Sequence, residues 1–587
     1  MNSSKTEYRH SMYGRFTSKY FQFFAAVCLA ALAASHAASA QSRADSPHAR
    51  TESGRVVGTT VNGINEFLGI PYAAPPVGNL RWMPPQPYGR FPGNALQATQ
   101  FGNMCPQPGV TSGSSEDCLF LNIFTPQQGE RDDQDSRDWS DEGEDAGRGH
   151  AWDMEGDRRH HGLPVMVWIH GGALEVGTGA SYDPTKLVQQ GVIVVTINYR
   201  LGYLGFFAQS AIDAEGHLNG NYGYMDQQFA LQWVRRNIAH FGGDPDRVTI
   251  FGQSAGGQSV LAEVASPLAA GLFQGAISES GAYGEFQDYY DYIITLAQGE
   301  TAGSTGVAAV PSGAAIANAV GCTNQTAACL RSVPASALNA LEPPLAIFPF
   351  VDGKLLPQTM TAAFTSGAFN HVPVLTGTNH DEWRYYVALE YDFQGHPIET
   401  SSEYDEAVTA LEGPTLEPTL INLYPLSDYQ YDGEAMGALG TDGVFSCPAR
   451  KAERALSQYV PTYAYEFNDE NAPTLALVAS GVLTTSFPLG TYHASELQYL
   501  FNLKEIAPPP GGMPDGQLSP EQVQLSDAMI RYWTQFAKTG NPNSPDQPAW
   551  PQYNASTSEV QSLVTPAPVV ETNFDVEHQC STFWDTF

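Results

Sequence analysis

Two apolar runs restrict the folds that this chain can adopt. Residues 165–169 are Val-Met-Val-Trp-Ile and residues 192–197 are Val-Ile-Val-Val-Thr-Ile, and neither run alternates between apolar and polar positions. A strand that is apolar on both faces must be covered on both faces, as in a parallel sheet between layers of helices. These runs therefore predict a central sheet that is buried on both sides.

The segments between the apolar runs have a strand–helix–strand pattern. A helical pattern over 222–240 ends at Gly242 and Gly243, and a strand follows at 248–251. Further strands are predicted at 274–278 and 372–376. A long helix at 520–538 begins with the capping residues Ser519 and Gln522. This alternation predicts an α/β fold with a large, mostly parallel sheet.

The amino-acid composition limits the classes of molecule that this chain is expected to bind. The 587 residues are 42% hydrophobic and 11% aromatic, which is sufficient for a large core, and the formal charge is −34. Such an excess of acid argues against nucleic acid or an anionic membrane surface as a partner.

The N-terminus has the organisation of a secretory signal. Basic residues at positions 5–19 precede an apolar stretch at about 21–34 and the small-residue sequence Ala38-Ser39-Ala40. An uncleaved membrane anchor is the alternative, but the stretch is short for a span. We expect residues 1–40 to be a signal peptide and residues 41–587 to form one secreted or periplasmic domain.

The number of cysteines favours a protein that folds in an oxidising compartment. Removal of the signal would leave six: Cys105, Cys118, Cys322, Cys329, Cys447 and Cys580. Six cysteines allow fifteen pairings. Joining the sequence neighbours, Cys105 with Cys118 and Cys322 with Cys329, leaves Cys447 with Cys580. A metal site is the competing interpretation, but no Cys-x-x-Cys or Cys/His ligand spacing supports it.

One segment differs from the rest in composition. Residues 127–162 contain twelve acids and five arginines, together with His160 and His161, and few aliphatic residues. Such a segment cannot contribute much core, so we expect a solvated surface insertion. A weak cation site is the functional alternative.

The most informative motif is Gly-Gln-Ser-Ala-Gly at 252–256. It follows the predicted strand 248–251 and precedes a predicted helix, which is the context of a nucleophile elbow. The flanking glycines would permit a sharp turn that presents Ser254 at a helix N-terminus. Ser254 is therefore the candidate nucleophile.

A second small-residue motif follows the strand 165–169. His170-Gly171-Gly172-Ala173 would let backbone N–H groups approach a substrate oxygen. Gly172 and Ala173 could then bind a tetrahedral oxyanion together with the N–H of Ala255. A simple tight turn is the alternative.

A serine nucleophile needs a histidine base and a carboxylate that orients the histidine. His493, in the sequence Tyr-His-Ala-Ser-Glu-Leu, is a candidate base. Glu382 follows a predicted strand and is a candidate acid, while the adjacent Asp381 is its rival. Spacing alone does not decide between these carboxylates.

Several further blocks resemble the type-B carboxylesterase family, the branch of the α/β-hydrolases that includes cholinesterases, fungal lipases and bacterial esterases. The resemblance extends from about Gly54 to the C-terminus, and many blocks occur in one order. They include Phe-Leu-Gly-Ile-Pro-Tyr-Ala at 67–73, Ser-Glu-Asp-Cys-Leu at 115–119, Asn-Tyr-Arg-Leu-Gly at 198–202 and Phe-Gly-Gly-Asp-Pro at 241–245.

The resemblance implies an α/β-hydrolase fold and a serine esterase. Matched motif by motif, it implies Ser254 as nucleophile, Glu382 as acid and His493 as base. It also implies Gly172, Ala173 and Ala255 as oxyanion donors, and it supports the Cys105–Cys118 and Cys322–Cys329 pairs. The implied reaction is acyl transfer to water from a small-molecule ester, without a metal or organic cofactor. Oligomeric state is not predicted.

Three departures from the family pattern affect the expected substrate range. Gln253 occupies a position where many relatives carry glutamate, Ala173 replaces a glycine, and Trp383 replaces the glycine after the acid. The segment 106–117 contains no aromatic residue, so we expect uncharged esters to be preferred over choline esters. Two alternatives stay open, a non-catalytic binding module and a lipase with an apolar lid.

Overall fold

The computed structural model describes residues 46–110, 112–127, 162–282, 312–341, 347, 349–504 and 518–586. The predicted signal peptide and residues 128–161 of the predicted acidic insertion lie outside the described residues.

A sheet of eleven strands forms the centre of the described chain. Numbered along the chain, its strands are β1 (Thr59–Val61), β2 (Ile64–Pro71), β3 (Phe120–Pro126), β4 (Leu163–Ile169), β5 (Ile193–Ile197), β6 (Gly243–Gln253), β7 (Gly275–Glu279), β8 (Val374–Asn379), β9 (Thr462–Phe467), β10 (Val560–Leu563) and β11 (Val569–Glu571). Their order across the sheet is β1-β2-β3-β5-β4-β6-β7-β8-β9-β10-β11. The seven neighbouring strands from β5 to β10 are parallel, and the outer pairs are antiparallel.

The two apolar runs lie side by side as β4 and β5 in the middle of this sheet. Val165 and Val167 belong to one apolar cluster, while Met166 and Trp168 belong to another. Successive residues of a strand point to opposite faces, so both faces of β4 are covered. The predicted large, mostly parallel sheet with helices on both faces is confirmed.

Helices of nine or more residues, numbered along the described chain, are α1 (Tyr222–Asn237), α2 (Ala255–Ala265), α3 (Glu382–Glu390), α4 (Ser401–Glu412), α5 (Asp432–Gly440), α6 (Cys447–Leu456) and α7 (Pro520–Thr539). Shorter helices include Gly313–Ala319, Ala327–Ser332, Ala335–Asn339, Met360–Ser366 and Glu417–Leu423. Buried residues of α1 and α2 lie in the first apolar cluster, and those of α7 lie in the second.

Helix ends follow their local sequence signals. The Ser519 hydroxyl accepts from the N–H of Gln522, the Gln522 side chain accepts from the N–H of Ser519, and Gly540 ends α7 with a φ of 73°. Helix α1 ends earlier than the predicted 240, because residues Ile238–Phe241 form a 3₁₀ turn before Gly242. Gly242 has a φ of 87°, which is the glycine C-cap that the sequence predicts.

All three expected disulfides are present, and they join Cys105 to Cys118, Cys322 to Cys329 and Cys447 to Cys580. The third one ties the C-terminal segment to the start of α6, across 133 residues of sequence. Within the described ranges, no helix combines the length and the apolar character required to traverse a bilayer.

Candidate active site

Ser254 lies at the junction of β6 and α2, as the motif predicts. Its φ of 58° and ψ of −127° are rare for a residue with a side chain, and such strain persists only where surrounding structure enforces it. The N–H of Ser254 donates to the carbonyl of Glu279 at the end of β7, 2.8 Å away. The turn is thereby fixed to the neighbouring strand.

The flanking glycines are required because other backbone passes within contact distance. A Cβ atom added to Gly252 would lie 2.5 Å from the carbonyl oxygen of Ile169, and one added to Gly256 would overlap the same oxygen. The Gly-x-Ser-x-Gly spacing therefore reflects the packing of the elbow on β4.

The His170–Ala173 loop continues β4 and contacts the elbow. Backbone φ values are 103° at Gly172 and 57° at Ala173, so the chain turns sharply here. A Cβ added to Gly171 would lie 2.6 Å from the carbonyl oxygen of Gln253 and 3.1 Å from Ser254 Cβ. The loop backbone thus approaches Ser254 more closely than a side chain would permit.

His170 anchors this loop. It is fully buried and stacks on Tyr199 with 4.5 Å between ring centroids, and the Tyr199 hydroxyl donates to the His170 carbonyl at 2.7 Å. Burial lowers the pKa of His170 to about 4. The ring is therefore neutral near pH 7 and serves as a packing element of the loop.

The structure brings His493 and Glu382 together from 111 residues apart. His493 Nδ1 lies 2.5 Å from Glu382 Oε2, and Glu382 Oε1 accepts from the N–H of Asn379 at 2.8 Å. Glu382 begins α3 directly after β8 and is fully buried. The carboxylate therefore has a fixed direction, and it fixes the orientation of the imidazole.

The other ring nitrogen of His493 faces the elbow. His493 Nε2 lies 3.4 Å from the amide nitrogen of Gln253, the residue before Ser254. The side chain at this position is a neutral amide, which supplies a hydrogen bond without adding a charge.

Asp381 has a different set of partners. Its Oδ2 accepts from the N–H and the hydroxyl of Thr491, both at 3.0 Å, and its Oδ1 pairs with Arg384 at 3.0 Å. Of the two adjacent carboxylates, Glu382 is the one hydrogen-bonded to His493.

Aromatic side chains line the approach to His493. The ring centroids of Phe445, Tyr386 and Tyr385 lie 5.1, 5.4 and 6.4 Å from that of the imidazole. Phe445 belongs to a π-helix, Thr441–Ser446, that joins α5 to α6. Sequence reasoning missed these residues, because only tertiary packing brings Phe445, 48 residues upstream, and the two tyrosines of α3 beside His493.

Two further buried acids adjoin the site. Glu496 Oε2 accepts from the Asn379 amide at 2.6 Å, and burial together with the charge of Glu382 raises the pKa of Glu496 to about 7. Glu279 Oε1 accepts from the Trp533 indole at 2.7 Å, and burial and the nearby Glu496 raise its pKa well above the usual range. Burial therefore favours the protonated form of the Glu279 carboxyl.

All these groups meet at one edge of the sheet. Ser254, the His170 loop and Glu382 follow the carboxyl ends of β6, β4 and β8, where open α/β sheets bind ligands. Comparison with known protein families gives a match over most of the chain. The description "Carboxylesterase family" matches residues 45–583.

The chain belongs to the carboxylesterase family. It is 35% identical to the para-nitrobenzyl esterase of Bacillus subtilis (strain 168) over 536 residues, covering 87% of this chain and 94% of that one. The cocaine esterase of Homo sapiens is 33% identical over 559 residues, covering 89% of both chains.

Solved structures that are similar to this chain are also esterases. A PNB esterase superposes with a TM-score of 0.69 at 32% identity, covering 92% of this chain and all of the other. A thermophilic PNB esterase gives 0.70 at 32% identity, with 92% and 99% coverage. The α/β-hydrolase fold is therefore confirmed, and this carboxylesterase is a carboxylic ester hydrolase.

Proposed function

We propose that this carboxylesterase hydrolyses esters through an acyl-enzyme on Ser254, with His493 as general base and Glu382 as the orienting acid. The observation that carries the proposal is the 2.5 Å contact between His493 Nδ1 and Glu382 Oε2 at the sheet edge that holds the strained Ser254.

The proposed reaction has two halves. Ser254 Oγ attacks the ester carbonyl while His493 accepts its proton, and the alcohol leaves with that proton. Water then attacks the acyl-enzyme with His493 again as base, which releases the acid and restores Ser254. Throughout, the Glu382 carboxylate holds the imidazole and stabilises its protonated form.

We assign the oxyanion hole to the N–H groups of Gly172, Ala173 and Ala255. The N–H of Ala255 opens α2, so it has no partner within the helix, and the helix dipole favours negative charge there. The close approach of the Gly171 backbone to Ser254 Cβ supports a contribution from the neighbouring loop N–H groups.

The direct test uses Ser254→Ala and His493→Ala. Each should lower kcat for p-nitrophenyl butyrate by on the order of 10⁶-fold while the thermal unfolding curve stays close to that of the parent, because triad members act as a unit. A serine-directed phosphonate should label the parent at one residue and leave Ser254→Ala unlabelled. Labelling at another serine would contradict the assignment, and absence of labelling would favour a binding module.

We further propose a preference for uncharged esters. Gln253 beside Ser254 is neutral, and the Cys105–Cys118 loop carries no aromatic residue. A desolvated cation over an aromatic face gains about 2 kcal/mol, so a missing ammonium site should be visible in kcat/KM. We expect p-nitrophenyl butyrate to be turned over with a higher kcat/KM than butyrylthiocholine in about 0.15 M salt.

The aromatic residues around His493 provide variants for a second part of this test. If the choline ester gave an equal or higher kcat/KM, the preference would be wrong, and a selective loss of its turnover in Tyr386→Leu would locate the cation site. Tyr459→Leu, an exposed tyrosine, is the matched control.

We also propose export across a membrane, with cleavage after Ala40. Three disulfides are stable in an oxidising compartment and uncommon in the cytosol. Fractionation of producing cells should recover activity in the secreted or periplasmic fraction, on a chain that starts at Gln41. Activity confined to the cytosol on an uncleaved chain would contradict export.

A further inference from the structure

A second group of titratable side chains lies near the site but takes no part in the proposed reaction. His380 follows β8, Glu466 lies in β9 and His578 lies in the C-terminal segment. Glu466 Oε1 is 2.6 Å from His578 Nε2 and 3.2 Å from His380 Nδ1. Two imidazole nitrogens thus converge on one carboxylate oxygen.

These distances suit a small coordination sphere. One donor atom from each of His380, Glu466 and His578 lies within 4.8 Å of the other two. Zinc binds nitrogen and carboxylate oxygen at about 2.0–2.2 Å, so donors around a tetrahedral ion are roughly 3.3 Å apart. Small side-chain rotations would bring the three donors to that spacing.

The remaining nitrogen of His578 has the partner that a metal-bound histidine usually has. His578 Nδ1 lies 2.6 Å from Asp442 Oδ1, and Asp442 Oδ2 accepts from the Tyr424 hydroxyl at 2.7 Å. Asp442 holds a proton on Nδ1, while Nε2 hydrogen-bonds to Glu466. An ion bound at Nε2 would replace that hydrogen bond and release its proton.

A further carboxylate lies beside Glu466. The Asn468 amide nitrogen is 2.9 Å from Glu466 Oε2 and 3.4 Å from Glu571 Oε2. The Glu571 carboxyl is hydrogen-bonded to that of Glu466, so the two groups share a proton. A dication bound at Glu466 would take the place of that proton and stabilise both groups as carboxylates.

Solvent can reach the cluster from one side. Side-chain exposure is 28% for His380 but only 1% for Glu466 and 4% for His578. Three protein donors and one side open to water are therefore compatible with four-coordination.

We propose that His380, Glu466 and His578 bind a divalent transition-metal ion of the zinc class, with water at the fourth position. Imidazole and carboxylate together favour such an ion over calcium, which prefers oxygen ligands only. The ion would join β8, β9 and the C-terminal segment, close to the Cys447–Cys580 disulfide. Its role would be structural, because Ser254, His493 and Glu382 complete the proposed reaction without it.

The test measures zinc binding to the full, tag-free chain after removal of metal with a chelator. The acidic insertion contains His150, His160 and His161, so the variant H150Q/H160Q/H161Q provides the background for all measurements. Titration with ZnCl2 against a chromophoric chelator should give one ion per chain, and CaCl2 should not compete. Zinc should also raise the melting temperature.

His380→Gln decides the assignment, since this side chain is part-exposed and its loss should leave the fold intact. We expect zinc affinity to fall by at least about tenfold in that variant. We expect the same from Glu466→Gln. The control His240→Gln, at an exposed histidine, should bind as the background does. Cobalt(II) should give visible d–d absorption that His380→Gln abolishes.

Two results would overturn the proposal. Absence of stoichiometric zinc binding in the background variant would mean that the cluster is an ion-pair network only. Equal affinity in His380→Gln, with unchanged circular dichroism, would place the bound ion elsewhere.

Discussion

At the residue scale, the neighbouring carboxylates of Asp381 and Glu382 differ in the side chains that each one contacts. Glu382 opens α3 and its Oε2 meets His493, whereas Asp381 is hydrogen-bonded to Thr491 and paired with Arg384. Asp381 therefore organises the loop that carries His493, and Glu382 acts on the imidazole itself. The two side chains are neighbours in sequence, but we expect them to have different effects on the proposed reaction.

This difference predicts unequal effects of two isosteric changes. Glu382→Gln should lower kcat for p-nitrophenyl butyrate by on the order of 10³–10⁴-fold, because an amide cannot stabilise the protonated imidazole and favours the wrong tautomer. Asp381→Asn should have a much smaller effect on kcat and should act mainly on thermal stability. Steady-state kinetics and melting curves of both variants would measure this. An inactive Asp381→Asn beside an active Glu382→Gln would reverse the assignment.

At the element scale, helix α2 has the candidate nucleophile at its N-terminus and a buried carboxyl group near its C-terminal end. Ser254 precedes its first turn, and Glu263 lies fully buried near its C-terminal end. Glu263 Oε2 accepts from the Gln228 amide of α1 at 2.8 Å, and Oε1 has no partner among the described residues. Burial raises the pKa of Glu263 to about 8.

A pH dependence of stability follows from that shift. The unfolded chain releases this proton near pH 4.5, whereas the folded chain keeps it until about pH 8. Over that window the folded state binds more protons, so this group lowers the free energy of unfolding by about 1.4 kcal/mol for each unit of rising pH. Glu263→Gln removes the titration, so its melting temperature should exceed that of the parent by more at pH 8 than at pH 5.

A matched control is Glu406→Gln, which changes an exposed glutamate of α4. Its difference from the parent should not vary with pH. If the Glu263→Gln difference were also constant between pH 5 and pH 8, Glu263 would be ionised in the folded chain and the argument from burial would fail.

At the scale of the whole molecule, the sheet separates the site from the two residues that flank the acidic insertion. Strand β3 runs antiparallel to β5, and β4 runs parallel to it, so the end of β3 and the start of β4 lie at the same edge. Gln127 and Gly162, which flank the insertion, therefore lie at the edge opposite Ser254. A strand of five to seven residues separates these edges by roughly 20 Å.

Replacement of residues 128–161 by a glycine–serine linker should consequently leave kcat/KM within about twofold of the parent and change the melting temperature little, because loop length adds slowly to closure entropy. Kinetics with p-nitrophenyl butyrate and a melting curve would measure both. Loss of folding would mean that the insertion packs on the domain, and a large change in kcat/KM alone would mean that it reaches the site.

The sequence by itself determined the architecture and indicated the candidate reacting groups. Two runs that are apolar on both faces require a parallel sheet with helices on both sides. A glycine-flanked serine between a strand and a helix is typical of a nucleophile elbow. Both patterns are local, because each depends only on residues within a short stretch of sequence. Strands β1, β2, β3, β9, β10 and β11 were not predicted, since none of them has the continuous β-branched apolar run that marks β4 and β5.

Only the tertiary structure decided relationships between distant segments. It chose Glu382 over Asp381 as the partner of His493, because the directions of two adjacent side chains depend on how α3 meets the loop at 491–493. It also brought Phe445 beside His493, and His380 together with Glu466 and His578, which are 86 and 112 residues apart from Glu466 in sequence. No local spacing encodes such contacts, since they arise where the ends of parallel strands converge at one edge of the sheet.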